Sequence, residues 1–368
     1  MRTEEVAAAF SGERLRLARF RSRLTVRELA SRVEVSHAAI SQYETGRSRP
    51  TGGVIARLAM ATGVSAAFFV PFGRRSISPG GLDGAHFRSL RATTKQSRAA
   101  AWAWSESVLD LAYALERHVR LPEQRVPSLG VDRDVDVSEL EDVARQVRAE
   151  WRLPDGPVGN LVRHLEARGV IVARLGVADR GVDDRGIDAF SHSLGPRHVV
   201  VLGTEKSDTA RSRFNAAHEL GHLVCHPDAD PGSRQEQQAH AFAAEFLMPR
   251  AHMLHRLPRR FDLGAYGRLK QEWGVSIAAL LYRARTLGVI SESAHRRAVM
   301  LMNREYGRRD EPYPLLLPER PALLATACEV AVRSGISMTD IADEAGLPLS
   351  DVLSIVGQPE PRPQIQIE

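Results

Sequence analysis

The first seventy residues alternate apolar and polar positions at the spacing of short helices. The segment GERLRLARFRSRL has the pattern of one helix, and VRELASRV and HAAISQYETG have the pattern of two more. Thr25, with Glu28 three residues later, predicts a capping box before VRELASRV. Ser36 is the predicted N-cap of the next helix, which ends at Gly46. Because a turn of only three or four residues separates these two helices, the pattern predicts a helix-turn-helix.

The pattern changes further along the chain. Residues 73–87 are rich in Gly, Ser and Pro and indicate a linker, whereas residues 88–120 return to helical spacing. The segment VSELEDVARQVRAEWRLP predicts an amphipathic helix, with Ser138 as its N-cap and Glu141 completing a capping box. GVIVARL and RHVVVLG are short β-branched runs that predict strands, and GIDAFSHSL could add a third. The elements predict a mainly α protein with a small α+β domain.

The distribution of charge singles out the N-terminal bundle. The formal net charge is +5, and residues 1–73 contain eleven arginines and six glutamates, so this segment accounts for the whole excess. A basic segment on a near-neutral body indicates nucleic-acid binding. Two cysteines, Cys225 and Cys328, are too few for a disulfide framework. With neither a signal peptide nor an apolar run of membrane length in the sequence, we expect a cytoplasmic protein.

The helix-turn-helix segment LTVRELASRVEVSHAAISQYETGRSRP resembles the Xre/Cro family of repressors. The resemblance implies that the second helix enters the major groove of a double-stranded DNA operator, which the protein would bind as a homodimer. Val26 stands where many family members have Gln. Carried over by position, four residues point at base edges, and three lie near phosphates. The base-facing residues are His37, Ala38, Ser41 and Gln42, and the phosphate-facing residues are Ser36, Arg47 and Arg49.

A second chemistry is indicated by FNAAHELGHLVCH, which contains the pattern His-Glu-x-x-His. On a helix, His218 and His222 lie on one face, where two neutral imidazoles can share a zinc ion. Glu219 points about 100° away from His218, so it suits proton transfer to and from water better than metal binding. Gly221 is expected to permit close approach of a neighbouring strand.

A catalytic zinc site needs a third protein ligand, and EQQAHAFAAEFLMP offers candidates. Glu236 lies at the edge of the apolar stripe of this helix, whereas Glu245 lies about 180° away and is expected to face solvent. Helical geometry therefore favours Glu236, with His240 as the alternative ligand or a neighbour that supports the ligands. His226 is a weaker rival, and Cys225 is more typical of a small core residue.

RSRFNAAHELGHLV, together with EQQAHAFAAEFLMP, resembles the ImmA/IrrE metallopeptidase family. The resemblance implies a zincin-like fold, zinc ligands His218, His222 and Glu236, and Glu219 as the catalytic residue. The family often has Asn where this chain has His240. Members cleave a repressor, or act with one, to release genes after stress, phage or mobile-element signals.

The two resemblances predict an ordered series of regions. These are a helix-turn-helix domain (1–72), a linker and connecting helix (73–125), a metallopeptidase domain (126–310), a C-terminal helical region (311–357) and a disordered tail (358–368). The C-terminal segment SMTDIADEAGLPLSDVLSIV also has a helix-turn-helix outline, but its second helix carries Asp351 and no Arg. That composition favours packing or dimerisation over DNA binding.

The sequence supports three hypotheses about function. The first is a transcriptional regulator whose zinc-dependent endopeptidase domain cleaves a repressor or other partner protein. The second is a repressor whose peptidase-like domain senses a ligand or metal without turnover. The third is a peptidase whose basic domain serves only to tether it to DNA. All the residues that a zinc peptidase reaction needs are present, namely His218, Glu219, His222 and Glu236. Their presence favours the first and third hypotheses over the second.

Overall fold

The computed structural model describes residues 3–71, 94–132, 134–175, 188–193, 197–203, 209–226, 233–307, 310–315 and 319–357. The expected linker at 73–87, residues 88–93 of the expected connecting helix and the expected tail at 358–368 lie outside the described residues. The described residues form seventeen α-helices, one 3-10 helix and a three-stranded sheet. The chain is therefore mainly α with a small α+β region, as predicted.

The N-terminal helices form a bundle that contains the predicted helix-turn-helix. They are α1 (Thr3–Ala8), α2 (Gly12–Arg21), α3 (Val26–Val33), α4 (His37–Glu44), α5 (Gly52–Thr62) and a 3-10 helix (Ala66–Phe69). The capping box of Thr25 and Glu28 is present at α3, and Ser36 caps α4 by accepting a hydrogen bond from Ala39 N. Glu34 adopts a left-handed conformation (φ 57°) in the turn between α3 and α4. The local cap signals therefore set both helix starts as predicted.

Three helices connect the bundle to the sheet: α6 (Lys95–Glu116), α7 (Val137–Glu150) and α8 (Leu161–Glu166). The prediction that Ser138 caps α7 is wrong, because Val137 is already helical and Asp136 occupies the N-cap. Glu141 does not complete a capping box either. Its carboxylate is buried and accepts a hydrogen bond from Arg283 Nη1 at 2.8 Å.

The sheet contains the two strands that the β-branched runs predicted and the third that GIDAFSHSL offered: β1 (Ile171–Arg174), β2 (Ala189–His192) and β3 (Val199–Leu202). Their order is β1-β3-β2, with β1 parallel and β2 antiparallel to the central β3. Because successive side chains point to opposite faces of a strand, the sheet has two apolar faces. Val199 and Val201 face one core, and Val200 and Leu202 face another.

The remaining helices follow the sheet. They are α9 (Thr209–Cys225), α10 (Ser233–Leu247), α11 (Arg250–Arg256), α12 (Leu263–Trp273), α13 (Ile277–Thr286), α14 (Glu292–Tyr306), α15 (Leu323–Arg333), α16 (Met338–Ala345) and α17 (Leu349–Val356). Helices α7 to α10 and α12 to α14 pack on one side of the sheet and form one core. Helix α6 and helices α15 to α17 pack on the other side, in the same core as the N-terminal bundle. Among the described residues, no helix has the length and apolar character needed to cross a membrane.

Candidate functional site

The residues of the His-Glu-x-x-His pattern lie on α9, and α10 packs against this helix along much of its length. His218 and His222 are one turn apart and present their Nε2 atoms to the same point, 3.2 Å from each other. Glu236, in the first turn of α10, faces both imidazoles. Its Oε2 lies 3.4 Å from His218 Nε2, and its Oε1 lies 3.4 Å from His222 Nε2.

These three side chains have the composition and spacing of a metal centre. Their ligand atoms all lie within 4.8 Å of one another. Ligands held at roughly 2.0–2.1 Å around a tetrahedral ion lie about 3.3–3.4 Å apart, which agrees with the separations of 3.2 and 3.4 Å between the nearest atoms. Two imidazoles and one carboxylate form a donor set that zinc prefers at catalytic sites. The side chains of His218, His222 and Glu236 therefore fit a zinc ion.

The electrostatics of the cluster favour an ionised carboxylate at Glu236. Burial raises the pKa of Glu236, but the hydrogen bonds and charges of His218 and His222 lower it by a larger amount. The pKa therefore lies well below the ordinary value of a glutamate. A carboxylate that stays ionised is the form that binds a metal ion.

Glu219 follows His218 on α9, is not one of the three clustered residues and is only 2% exposed. Its Oε2 accepts a hydrogen bond from Ser191 Oγ on β2 at 2.6 Å. Burial raises the pKa of Glu219 to about 7, against the opposing effects of His218 and of the hydrogen bond from Ser191. A buried carboxyl group with a pKa near neutrality has the properties of a general base or acid.

Helix α9 packs closely on α10 at Gly221, which has no side chain. This close packing brings the three clustered residues together. A Cβ atom at Gly221 would lie 3.2 Å from Ala239 Cα and 3.1 Å from a ring carbon of Phe242. The expectation that Gly221 admits a strand is therefore wrong, because its neighbour is helix α10. The close approach is what allows Glu236 to reach the two histidines of α9.

The alternative ligands lie near the cluster but outside it. His240 packs between Phe214 and Tyr282, with ring centroids 4.8 and 5.1 Å away, and its ring lies 6.5 Å from that of His218. Burial lowers the pKa of His240 to about 4. His226 is buried behind His222, with their Nδ1 atoms 3.2 Å apart. Cys225 is buried in the core, and burial raises the pKa of its thiol to about 12.

Sequence reasoning missed two polar residues that contact the site. Ser191 holds the carboxylate of Glu219, and Gln238 Oε1 lies 2.8 Å from His226 Nε2. The sequence feature that could have pointed to Gln238 is its position two residues after Glu236. The feature that could have pointed to Ser191 is a polar residue within a predicted strand. Neither feature indicates a partner, because both contacts depend on how one element packs against another.

The predicted DNA-contacting residues share one exposed surface of the N-terminal bundle. Buried Ile40 anchors α4 in the core, and the opposite side of the helix faces solvent. All seven predicted residues are exposed: Ser36, His37, Ala38, Ser41, Gln42, Arg47 and Arg49. Ser41 Oγ donates to the main-chain oxygen of His37 at 3.1 Å, and Arg49 Nη1 donates to that of Ala8 at 2.9 Å. The arrangement is that of a recognition helix flanked by basic residues.

Two parts of the chain match known families. Residues 166–285 match a peptidase family described as the IrrE N-terminal-like domain, and this range includes the sheet, α9 and α10. Residues 12–67 match a family described as a helix-turn-helix domain. No curated protein matches the chain. The chain therefore has a DNA-binding helix-turn-helix domain followed by a metallopeptidase-like domain, the fused architecture that the two resemblances implied.

Proposed function

We propose that the protein is a transcriptional regulator that binds operator DNA and cleaves a repressor or other partner protein in a zinc-dependent reaction. The observation that carries the proposal is the cluster of His218, His222 and Glu236 beside the buried Glu219, in a chain that also has a DNA-binding domain. The response would be to stress, phage or mobile-element signals. The same architecture leads us to propose a cytoplasmic homodimer as the working form.

His218, His222 and Glu236 would hold the zinc ion. When bound, zinc supplies a Lewis acid that lowers the pKa of a water molecule and polarises a carbonyl group. The three residues would supply the three protein ligands of a catalytic zinc, whose fourth position takes a water or the substrate.

Glu219 would transfer the proton in this reaction. The hydrogen bond from Ser191 Oγ holds the carboxylate of Glu219 in place, and this carboxylate would receive the proton from the attacking water. The same carboxyl group then gives the proton to the leaving amine. Burial separates Glu219 from bulk water and raises its pKa in the metal-free protein, which favours a carboxyl group that can both take up and release a proton.

The substrate would be an exposed segment of a folded protein. A genetic switch needs cleavage of one chosen bond, and exposed loops and linkers are where such bonds are accessible. A separate repressor is one candidate substrate, and the protein's own segment 73–87 is another. Binding of the regulator at the operator, through α4 in the major groove, would place the peptidase beside DNA-bound partners.

The substitution Glu219→Gln tests the proposal because it keeps the shape of the side chain and removes its basic oxygen. The variant should retain zinc and operator binding and lose cleavage, so the target promoter should stay silent under the inducing stress. A Glu305→Gln strain is the matched control, since Glu305 is an exposed residue of α14. Induction of the promoter in the Glu219→Gln strain as in the wild type would contradict the proposal and support the sensor hypothesis.

A further inference from the structure

Three buried side chains behind the metal cluster form one hydrogen-bonded line. His222 Nδ1 lies 3.2 Å from His226 Nδ1, and His226 Nε2 lies 2.8 Å from Gln238 Oε1. Gln238 Nε2 donates to the main-chain oxygen of Asp132 at 3.0 Å. The three side chains are at most 3% exposed. Because buried polar groups need matched partners, each donor along this line must face an acceptor.

The line ends on a main-chain oxygen that is itself held in place. The segment before α7 runs along the C-terminal end of α9 and caps it. Leu129 N donates to the oxygen of Val224 at 2.9 Å, and Val131 N donates to that of Cys225 at 2.8 Å. These bonds satisfy carbonyl groups that a helix end leaves without partners. They also fix the backbone next to Asp132, so its oxygen stays directed at Gln238.

The direction of every hydrogen bond in the line follows from this oxygen. A carbonyl oxygen only accepts, so the amide nitrogen of Gln238 faces Asp132 and the amide oxygen faces His226. That oxygen also only accepts, so His226 Nε2 carries a proton. A neutral imidazole has one N–H group, so His226 Nδ1 is an acceptor, and His222 Nδ1 must carry the proton between the two rings.

The hydrogen bond at Nδ1 also determines which nitrogen of His222 can bind the metal ion. With Nδ1 of His222 held by its hydrogen bond to His226, Nε2 is the nitrogen left to bind the ion, and the neutral ring offers its lone pair there. This is the atom that lies 3.4 Å from Glu236 Oε1 in the cluster. A metal ligand must offer a lone pair, so the line selects the tautomer of His222 that can bind the ion.

We propose that His226 and Gln238 are positioning residues that hold His222 in its metal-binding tautomer, an inference that rests on the proposed function of the site. In the free imidazole the two tautomers interconvert, and one of them would place an N–H group where the metal binds. Partners behind metal-bound histidines typically change metal affinity by roughly 10- to 100-fold when they are removed. Neither residue touches substrate or metal in this arrangement.

The first experiment reads the tautomers in the metal-free wild-type protein by nitrogen-15 NMR of labelled histidines. Long-range proton–nitrogen correlations distinguish a protonated Nδ1 from a protonated Nε2. The proposal predicts a protonated Nδ1 at His222 and a protonated Nε2 at His226. A His222 ring whose Nδ1 carries no proton would overturn it, whether or not the protein turns out to cleave any substrate.

The second experiment measures zinc affinity by competition with a chelator. His226→Phe keeps a ring of similar size and removes both hydrogen-bonding atoms, so it should weaken zinc binding by roughly 10- to 100-fold. His226→Gln supplies an amide oxygen for His222 and an amide nitrogen for Gln238, so it should recover most of the loss. Gln238→Leu should weaken binding in the same way as His226→Phe.

A matched control is His198→Phe, which replaces a half-buried histidine next to β3 and should leave zinc affinity unchanged. Wild-type affinity in folded His226→Phe protein would overturn the proposal, as would an equal loss in His226→Phe and His226→Gln. Whether the Glu219→Gln variant loses cleavage while it keeps normal zinc affinity tests the proposed function alone. Zinc affinity and tautomer signals therefore separate the two proposals.

Discussion

Glu236 and Glu245 lie on the same helix and have different surroundings. Glu236 faces the two histidines of α9, whereas Glu245 is fully buried, pairs with Arg283 and accepts a hydrogen bond from Arg250 N at 3.0 Å. The expectation that Glu245 faces solvent is therefore wrong. Helical geometry placed it correctly on the side away from Glu236, but α7 and α13 cover that side too. A helix covered on both sides can bury a carboxylate only beside a cation.

The difference predicts opposite effects of two alanine substitutions. Glu236→Ala should lose most of the bound zinc, and in zinc-free buffer it should lower the free energy of unfolding by less than Glu245→Ala does, because the Glu236 side chain is 20% exposed. Glu245→Ala should keep zinc and lower the free energy of unfolding by about 3 kcal/mol, because the buried Arg283 then loses one of the two carboxylates that it pairs with and keeps Glu141. Zinc content and denaturant unfolding check the pair. Equal zinc retention in both variants would contradict the assignment of Glu236 as a ligand.

At the scale of elements, α4 is where sequence and structure agree most closely. Its N-cap, the short turn before it and the exposed side of the helix all follow from signals within fifteen residues. The contacts of α7 were harder to predict. The start of α7 was misplaced by two residues, and the role of Glu141 depends on Arg283, which is 142 positions away in the sequence. Local signals thus predict where helices begin, but not which distant side chain a buried carboxylate meets.

The exposed side of α4 predicts a separation between base recognition and phosphate binding. Gln42→Ala should cost about 1–3 kcal/mol of binding free energy on the operator and little on unrelated DNA. Arg47→Ala should weaken both and reduce the dependence of binding on salt, because a phosphate contact releases a counterion. Fluorescence titrations with both DNAs at several salt concentrations check this.

Arg57→Ala is a control for the loss of an arginine elsewhere in the bundle, since Arg57 Nε donates to the main-chain oxygen of Val33 at 2.8 Å. It should not change the ratio of operator to nonspecific affinity. If Gln42→Ala weakened binding to unrelated DNA as much as to the operator, Gln42 would not read a base.

At the scale of the whole molecule, the sheet separates two cores and also joins them. Ser191 on β2 contacts Glu219 on one side, while its neighbour His192 lies 2.9 Å from Ser105 Oγ on α6 on the other side. Helix α6 then contacts the N-terminal bundle, where Asp110 pairs with Arg14 at 2.6 Å. The candidate peptidase site and the DNA-binding bundle are thus linked by short, buried polar contacts.

The C-terminal helices belong to the core of the N-terminal bundle, which the sequence could not predict. The composition of α17 favoured packing or dimerisation over DNA binding, and the structure places Asp351 against the bundle. Asp351 is buried and pairs with Arg21 on α2, which also donates to Ser107 Oγ at 2.7 Å. No pattern within either segment indicates this pairing, because the two residues are 330 positions apart.

This pairing predicts that a change at the end of the chain loosens the DNA-binding domain at its beginning. Asp351→Ala leaves the Arg21 guanidinium buried without its carboxylate, which should lower stability by about 3 kcal/mol. Because α2 and α17 share one core, hydrogen exchange should accelerate in α2 to α4 as well as in α15 to α17. Operator affinity should fall once the bundle begins to unfold, although Asp351 is far along the chain from α4.

Two further variants separate the charge from the packing. Asp343→Ala, at an exposed position of α16, should leave exchange in the bundle unchanged. Arg21→Met combined with Asp351→Leu should restore much of the lost protection, because a buried ion pair can be replaced by apolar residues of similar size at little cost. If Asp351→Ala accelerated exchange in α15 to α17 alone, the bundle would be stable without the C-terminal helices. The two ends of the chain would then pack against each other but unfold independently.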